Sequence, residues 1–395
     1  MKQAMRRIAT VMHRADTSAS FAFKFWDGEV LRVGDGPRAV LNIKSPRAVK
    51  QLFAKGFHGF GEAYMSGDLE VEGDLQELLR LGLLIRFDES AASLVQQIRL
   101  LPLFLRTRNT SSRARSNIQH HYDRSDGFYR LFLDDTMTYS CAYFRREDDS
   151  LEQAQRNKHD HICRKLMLRP GDRLVDVGCG WGGMLLHAAR EYGITGLGNT
   201  LSRNQYEHAS RKISELSLDD RIGVSLLDYR ELSGKFDKFV SIGMFEHVGK
   251  EFIPVFMSKV AMLLKKGGIG LLHTIAKDVE SSTDSWTQQY IFPGGYIPTL
   301  TETIREMGRA GFTILDVEGL RMHYARTLDC WTANFEKNVT AVRKMFDDTF
   351  VRMWRLYLNA SSAGFKYGTT RLYQILFTNG LNNKAPLSRN YMYTQ

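Results

Sequence analysis

The sequence predicts an α/β fold: a seven-stranded, mainly parallel sheet domain preceded by a small α+β domain. Three observations carry this expectation. From about residue 150 onward, short apolar runs alternate with stretches of helical periodicity. The first of those runs leads straight into a glycine-rich turn, "LVDVGCGWGG" at 174–183. Ahead of them, residues 20–45 alternate apolar and polar positions around Asp27-Gly28 and Asp35-Gly36, as short half-buried strands do. A chain of 395 residues is also long for one domain.

The elements follow in order. Ser45-Pro46 is an N-cap with proline at the first helical position, and it opens a helix through "RAVKQLFAKG" that Gly56 ends. Turns at Ser66-Gly67 and Gly73-Asp74 precede an apolar helix, and the small α+β domain closes near residue 90. Residues 91–117 turn from apolar ("LVQQIRLLPLFL") to basic ("RTRNTSSRAR") and read as a helical connector. The remainder, 118–395, is the larger domain. There "DRLVDVG" is a strand, and "MLLHAAREYG" is a helix closed by Gly193. "ITGLGNT", "RIGVSLLDY" and "FDKFVSIGMF" are the next strands, with "SRNQYEHASRKISEL" a helix after the first of them. Phe252, Val255, Phe256, Val260, Leu263 and Leu264 recur at helical spacing and predict a helix over "EFIPVFMSKVAMLLKKGG". "GIGLLHTIA", "FTILDVEGL" and "RLYQILFTN" complete seven strands.

Composition narrows the function classes. Apolar residues make up 43% and charged residues 25%, and no run approaches 18 apolar residues, so no transmembrane helix is expected. The N-terminus is basic but lacks a continuous apolar core, so no secretory signal is expected. Cys141, Cys163, Cys179 and Cys330 show no C-x-x-C pairing, which argues against zinc and a disulfide framework and fits a reducing cytoplasm. The net charge of +10 is broad, with one dense run from Arg106 to Arg115. A solvated linker or an anionic membrane surface accounts for that run. Nucleic acid is not an expected partner, because no nucleic-acid module or N-P-P-Y-like strand end is present.

In a parallel sheet, ligands bind beyond the strand carboxyl ends, and a glycine turn before a helix N-terminus makes a nucleotide or anion site. A dehydrogenase would carry an acid at the end of the second strand. Here Asn199, Thr200 and Ser202 stand there instead, and the late pair of strands fits a Rossmann-like S-adenosylmethionine-dependent methyltransferase domain better. Asp176 is then placed to hold the amino group of the methionine end, and Asp228 an adenine amino group. Gly178 and Gly180 would allow close backbone approach. A glycine turn that only packs a helix on a strand is the alternative.

Further segments carry a family resemblance. "TMTYSCAYF" (136–144), "LVDVGCGWGG", "TLSRNQ", "SIGMFEHVG" and "HYARTL" resemble the bacterial cyclopropane-fatty-acyl-phospholipid synthases and the mycolic acid cyclopropane synthases. "GEAYMSGDLEVEGDL" resembles the small N-terminal lipid-binding domain of the phospholipid-acting branch, so the likeness covers nearly the whole chain. It implies a cytoplasmic enzyme, peripheral on the inner face of the cytoplasmic membrane, whose partner is a phospholipid bilayer surface with unsaturated acyl chains. A homodimer is compatible with it. The implied reaction transfers a methylene from S-adenosylmethionine across a cis double bond, with bound bicarbonate as base. By resemblance Cys141, Glu246, His273 and Tyr324, with the backbone of Ile275, form the bicarbonate pocket. Tyr139 and Ser140 match positions at the methionine carboxylate, and Thr200, Leu201 and Gln205 match the segment around the ribose. Trp181 and Tyr229 are aromatic positions for cofactor, acyl chain or core.

The residues themselves support part of this. Glu246 follows the fourth strand and His273 lies late in the fifth, so both sit at the ligand-binding edge. A direct Glu246–His273 acid/base pair and a purely structural pair remain open alongside the ion pocket. Cys141 is not expected to be a nucleophile, since methylene addition needs no covalent enzyme intermediate and no neighbour activates the thiol. His247 is expected to be structural, and "FPGGYIP" (292–298) is a rigid turn or an acyl-tunnel wall. The chain departs from the family at Arg124, Ser125 and Asp126, at Asn334 and at Ser361, none of them in the proposed pocket. Two rivals stand beside the main reading: a methyltransferase that leaves a mid-chain methyl branch, and a lipid-binding protein without catalysis.

Overall fold

The structure, a computed structural model, describes residues 1–87, 126–281 and 284–393. The basic connector, with Arg106, Arg108, Arg113 and Arg115, lies outside the described residues, as do Arg124 and Ser125. The chain divides into two compact units: 1–106 with 282–293 and 328–369, and 107–281 with 294–327 and 370–395.

The first unit opens with helix α1 (Lys2–Ala15), which the sequence reading did not anticipate because its mean polarity is high. Met5, Ala9 and Met12 make its single buried stripe. Strands β1 (Phe21–Lys24), β2 (Val30–Val33), β3 (Ala39–Ile43) and β4 (Leu69–Gly73) form a sheet in the order β2-β1-β3-β4. β1 pairs antiparallel with β2 and parallel with β3, and the predicted Asp35-Gly36 lies in the connection from β2 to β3, with Gly36 at φ 63°. Helix α2 (Pro46–Ser66) starts where expected, with Ser45 Oγ accepting the Ala48 amide at 3.4 Å. Gly56 breaks it without ending it: at φ 57° and ψ −134° the chain kinks and a second helical stretch runs on to Ser66. Asp74 caps α3 (Leu75–Leu84) through the amides of Gln76 and Glu77. Two segments assigned by sequence to 118–395 cluster with this unit. They include α9 (Ser285–Tyr290), whose Trp286 packs edge-on to Phe57, and α13 (Asp348–Tyr367), which packs on α2 and α3.

In the second unit, α4 (Asp126–Tyr129) and α5 (Leu151–Lys165) precede the sheet. Its strands are β5 (Arg173–Val177), β6 (Thr195–Asn199), β7 (Ile222–Ser225), β8 (Phe236–Ile242), β9 (Leu264–Lys277), β10 (Phe312–Gly319) and β11 (Thr370–Asn379). Their order is β10-β11-β9-β8-β5-β6-β7. β9 to β7 run parallel, and β11 is antiparallel to both its neighbours. This is the predicted doubly wound sheet with its late antiparallel strand. Consecutive residues alternate between two buried layers: Val175, Phe239, Leu272 and Phe377 face one, and Leu174, Val240, Leu271 and Leu376 the other. A sheet covered on both faces requires this of every central strand. The layers are closed by α6 (Gly183–Tyr192), α7 (Arg203–Glu215), α8 (Ile253–Leu263) and α10 (Leu300–Arg309). α14 (Asn390–Tyr393) also belongs to this unit, α12 (Val339–Met345) to the first, and α11 (Arg321–Lys337) has its first turns here and the rest in the first.

One helix is shorter than its periodicity suggests. α8 stops at Leu263, because Leu264 is already extended (φ −80°, ψ 130°) and pairs with Phe236 on β8. The "KKGG" stretch therefore belongs to β9, the strand that carries His273. β9 lies close against β11 at Gly270, where an added Cβ would stand 2.4 Å from the Phe377 ring. Gly270→Ala is expected to destabilise the protein by about 1–3 kcal/mol, since Phe377 is buried and has no room to yield. Urea denaturation measures it, and an unchanged midpoint would contradict the tight strand packing.

Candidate active site

β5 delivers Asp176 and Val177 to the carboxyl edge of the sheet, and the glycine turn follows at once. Gly178, Gly180 and Gly182 all have positive φ (80°, 56° and 86°), so the turn can form only with side chains absent at these points. Asn199, at the end of β6, holds the turn in place. Its Oδ1 accepts the Gly178 amide at 3.2 Å and its carbonyl the Cys179 amide at 2.9 Å. A Cβ on Gly178 would meet Met244 at 2.6 Å, whereas one on Gly180 would meet nothing within 4 Å. The turn thus packs on one side and faces open space on the other.

That space is a cavity lined by Tyr139, Ser140, Asp176, Gly178, Gly180, Thr200, Leu201, Gln205, Asp228 and Tyr229, the ten residues read from the sequence as cofactor positions. Thr200 Oγ1 donates to Gln205 Oε1 at 2.6 Å, and Ser202 caps α7 through the Gln205 amide. Asp228 caps the short turn after β7 and pairs with Arg230 at 3.2 Å. Asp134 shapes the loop before Tyr139 by accepting the amides of Thr136 and Thr138. Asp126, one of the departures from the family pattern, accepts the Trp181 indole N–H at 2.9 Å and faces His208 Nδ1 at 3.1 Å. It ties α4 to the glycine turn and to α7, and the Tyr129 ring lies 4.9 Å from that of Trp181.

Two features of this cavity were not legible in sequence. Asp176 is 1% exposed, its Oδ2 has no hydrogen-bond partner, and burial raises its carboxyl to about 7 against the opposing pull of Lys158. Lys158 itself, on α5, is fully buried beside the cavity and donates to Ser140 Oγ at 3.1 Å. In "AQRNKHDH" it reads as a surface lysine.

A second constellation sits at the ends of β8 and β9. Glu246 lies in a single helical turn after β8, and Gly243 N–H donates to the His273 carbonyl at 2.9 Å, so the two strands present their ends together. Glu246 Oε1 accepts the Ile275 amide at 2.6 Å, while Oε2 has no partner among the described residues. Burial raises this carboxyl to about 7, partly opposed by the Ile275 N–H. His273 Nδ1 receives the amide of Gln374 on β11 at 3.2 Å. In that arrangement Nδ1 is an acceptor, so Nε2 carries the proton, and Nε2 also has no partner. Burial holds this imidazole well below its usual range, hence neutral. Gln374 is a second residue the sequence reading missed, a polar side chain buried mid-strand in "RLYQILF".

Cys141 is fully buried, its thiol donates to the Ala142 carbonyl at 3.1 Å, and burial pushes its pKa up, so it is a neutral thiol. The Ala142 amide donates to Thr327 and the Phe144 amide to His323, each at 3.0 Å. These bonds tie the Cys141 segment to the first turns of α11, which carry the half-buried Tyr324. The Tyr296 amide donates to the Glu246 carbonyl at 2.9 Å, which brings the "GGYIP" loop to the same turn. His247 lines the cofactor-type cavity, and burial lowers its imidazole to about 4.

The chain resembles known proteins along most of its length. A family model described as mycolic acid cyclopropane synthetase matches residues 109–375, and a domain of unknown function matches 8–87. A probable fatty acid methyltransferase of Pseudomonas putida is 38% identical, over 94% of this chain and 95% of that protein. The cyclopropane-fatty-acyl-phospholipid synthase of Escherichia coli K12 is 33% identical, over 90% of this chain and 92% of that one. Among solved structures, mycolic acid cyclopropane synthase CmaA1 complexed with SAH and CTAB matches with a TM-score of 0.64 at 35% identity. That match covers 67% of this chain and 98% of the other.

A carboxyl whose folded pKa lies above its unfolded value favours the folded state in acid and loses that contribution as the pH rises through the folded value. For Glu246 the window runs from about 4.5 to about 7. Glu246→Gln keeps the acceptor for Ile275 and removes the buried charge. It is expected to be more stable than the parent protein at pH 8, by up to about 3 kcal/mol, with no advantage at pH 4. Thermal melts at the two pH values check this, and a variant less stable at pH 8 would contradict it.

Proposed function

The chain belongs to the mycolic acid cyclopropane synthetase family, and on that premise we propose that it transfers a methylene from S-adenosylmethionine across a cis double bond of a phospholipid acyl chain. The product is a cyclopropane fatty acyl chain, and the general base is bicarbonate. The observation that carries this reading is a pair of buried polar atoms without a partner among the described residues, Glu246 Oε2 and His273 Nε2, together with a glycine-cradled cavity lined by the neighbours Met244 and His247 of Glu246.

The residues fit both groups. Gly180 leaves room for a ligand against the backbone, and Asp176 presents an oxygen without a partner among the described residues. Asp176 would hold the amino group of S-adenosylmethionine, with Tyr139 and Ser140 at its carboxylate and Thr200, Leu201 and Gln205 at its ribose. An imidazole N–H and a backbone-anchored carboxyl suit an ion that both accepts and donates hydrogen bonds, as bicarbonate does. When bound, S-adenosylmethionine supplies an electrophilic methyl group and bicarbonate a mild base. An alkene is a weak nucleophile, and the positive charge that develops on the acyl chain must be shielded from water. The aromatic shell of Tyr129, Tyr139 and Trp181 excludes water on the cofactor side. Glu246 and His273 keep the base oriented, and the neutral thiol of Cys141 adds no competing nucleophile.

The substrate is a bilayer phospholipid, and the protein works as a peripheral enzyme on a membrane surface. No helix among the described residues is long and apolar enough to cross a membrane. A second reading, a methyltransferase that leaves a mid-chain methyl branch, is favoured by the similarity to the Pseudomonas putida fatty acid methyltransferase.

Expression in a host rich in unsaturated phospholipids but without cyclopropane synthesis of its own tests the two. Mass spectrometry of the acyl chains is expected to show a gain of one methylene with loss of the double bond. A saturated, methyl-branched chain would establish the second reading, and unchanged chains would overturn both. Glu246→Gln is expected to lower turnover by about 100-fold or more while calorimetry finds S-adenosylhomocysteine affinity unchanged. Full turnover in that variant would remove Glu246 from the mechanism.

A further inference from the structure

Lys158 is a buried ammonium that no carboxylate among the described residues meets in a direct ion pair. It is 1% exposed, and Asp134 and Asp176 act on it through space without a hydrogen bond to it. Its contact is with a neutral hydroxyl, Ser140 Oγ. The groups that face it electrostatically come from every element around it. They are Asp134 and Cys141 on the loop before α5, Asp176 at the end of β5, His159 on α5, His187 on α6 and His273 on β9. Asp134 is occupied with the amides and hydroxyl of its own loop. Cys141 is a neutral thiol, and burial lowers all three imidazoles towards the neutral form. Burying an ammonium costs several kcal/mol unless an anion meets it. The protein meets that cost at the wall of an open cavity also lined by Asp176, whose Oδ2 has no hydrogen-bond partner among the described residues.

We propose that Lys158 is the counter-cation for the carboxylate of the cofactor's amino-acid end, and that Lys158 and Asp176 together select a zwitterionic α-amino acid group. The assignment rests on the cofactor reading given above. Ser140 is then the link that the cation polarises: its oxygen accepts from Lys158, which frees its hydroxyl hydrogen for the ligand carboxylate. Burial pulls the ammonium down to about 8, and a bound carboxylate would reverse that pull.

The test uses the whole chain and two probes that differ only at the amino-acid end. S-adenosylhomocysteine carries it, and 5′-methylthioadenosine lacks it. Calorimetry on the parent protein and on Lys158→Met is expected to show S-adenosylhomocysteine weakened by about 30-fold, as loss of a charge-assisted hydrogen bond implies. Methylthioadenosine affinity should stay within about twofold, which also shows that the variant is folded. Equal affinities of parent and variant for both probes would overturn the assignment. So would a parallel loss of both probes, which would make Lys158 a wall of the cavity and not a reader of charge. A parent protein that binds neither probe would overturn the cofactor reading and the assignment with it.

Discussion

The hydrogen bond from the Ile275 amide to Glu246 Oε1, at 2.6 Å, is the constraint on which the candidate chemistry depends. It joins the turn after β8 to the last residues of β9 and fixes the carboxyl in one orientation. One oxygen is consumed, and the other is left facing inward without a partner. A buried carboxylate satisfied only by half is costly, which is why burial lifts Glu246 to about 7. Gln374 does the same for the His273 imidazole, since its amide donates to Nδ1 and leaves the proton on Nε2. Three adjacent strands, β8, β9 and β11, therefore fix these two side chains. The fold can do this because the parallel strands all end at the same edge, and because the antiparallel β11 reaches back alongside β9.

The cofactor-type cavity is built on the same edge, one strand away. Asn199 fixes the glycine turn from β6, and Asp126 fixes Trp181 from outside the sheet. The cavity lining holds opposite charges, Lys158 and Asp176, that act on each other without a direct ion pair among the described residues. The two constellations share a wall: Gly243, Met244 and His247, which flank Glu246, also line the cavity. Such an arrangement suits a reaction in which one ligand gives up a carbon and a second takes up a proton at nearly the same place.

Much of this was legible in the sequence. The seven strands announce themselves as apolar runs, because a sheet covered on both faces needs apolar residues at consecutive positions. Asp176, Glu246 and His273 could be placed at the ligand edge once their strands were recognised. What escaped has a common physical cause. Lys158 and Gln374 are polar residues whose burial follows from packing between elements far apart in the chain, and local pattern carries no trace of it. α1 was hidden because only Met5, Ala9 and Met12 of its fourteen residues are buried. α8 was read too long because the apolar period runs unbroken into β9, and only pairing of Leu264 with Phe236 decides where the helix stops. The clustering of 282–293 and 328–369 with the N-terminal unit is likewise a long-range matter.

The central claim is that Glu246 and His273 together hold an oxyanion base between them. The most direct measurement is carbon-13 resonance of labelled bicarbonate added to protein prepared in carbon-dioxide-free buffer. The account predicts a saturable bound signal in the parent protein that disappears in a His273→Ala variant whose S-adenosylhomocysteine affinity is intact. It also predicts that turnover in the stripped buffer is low and returns as bicarbonate is restored. Full turnover in stripped buffer, with no bound signal at any bicarbonate concentration, would contradict it.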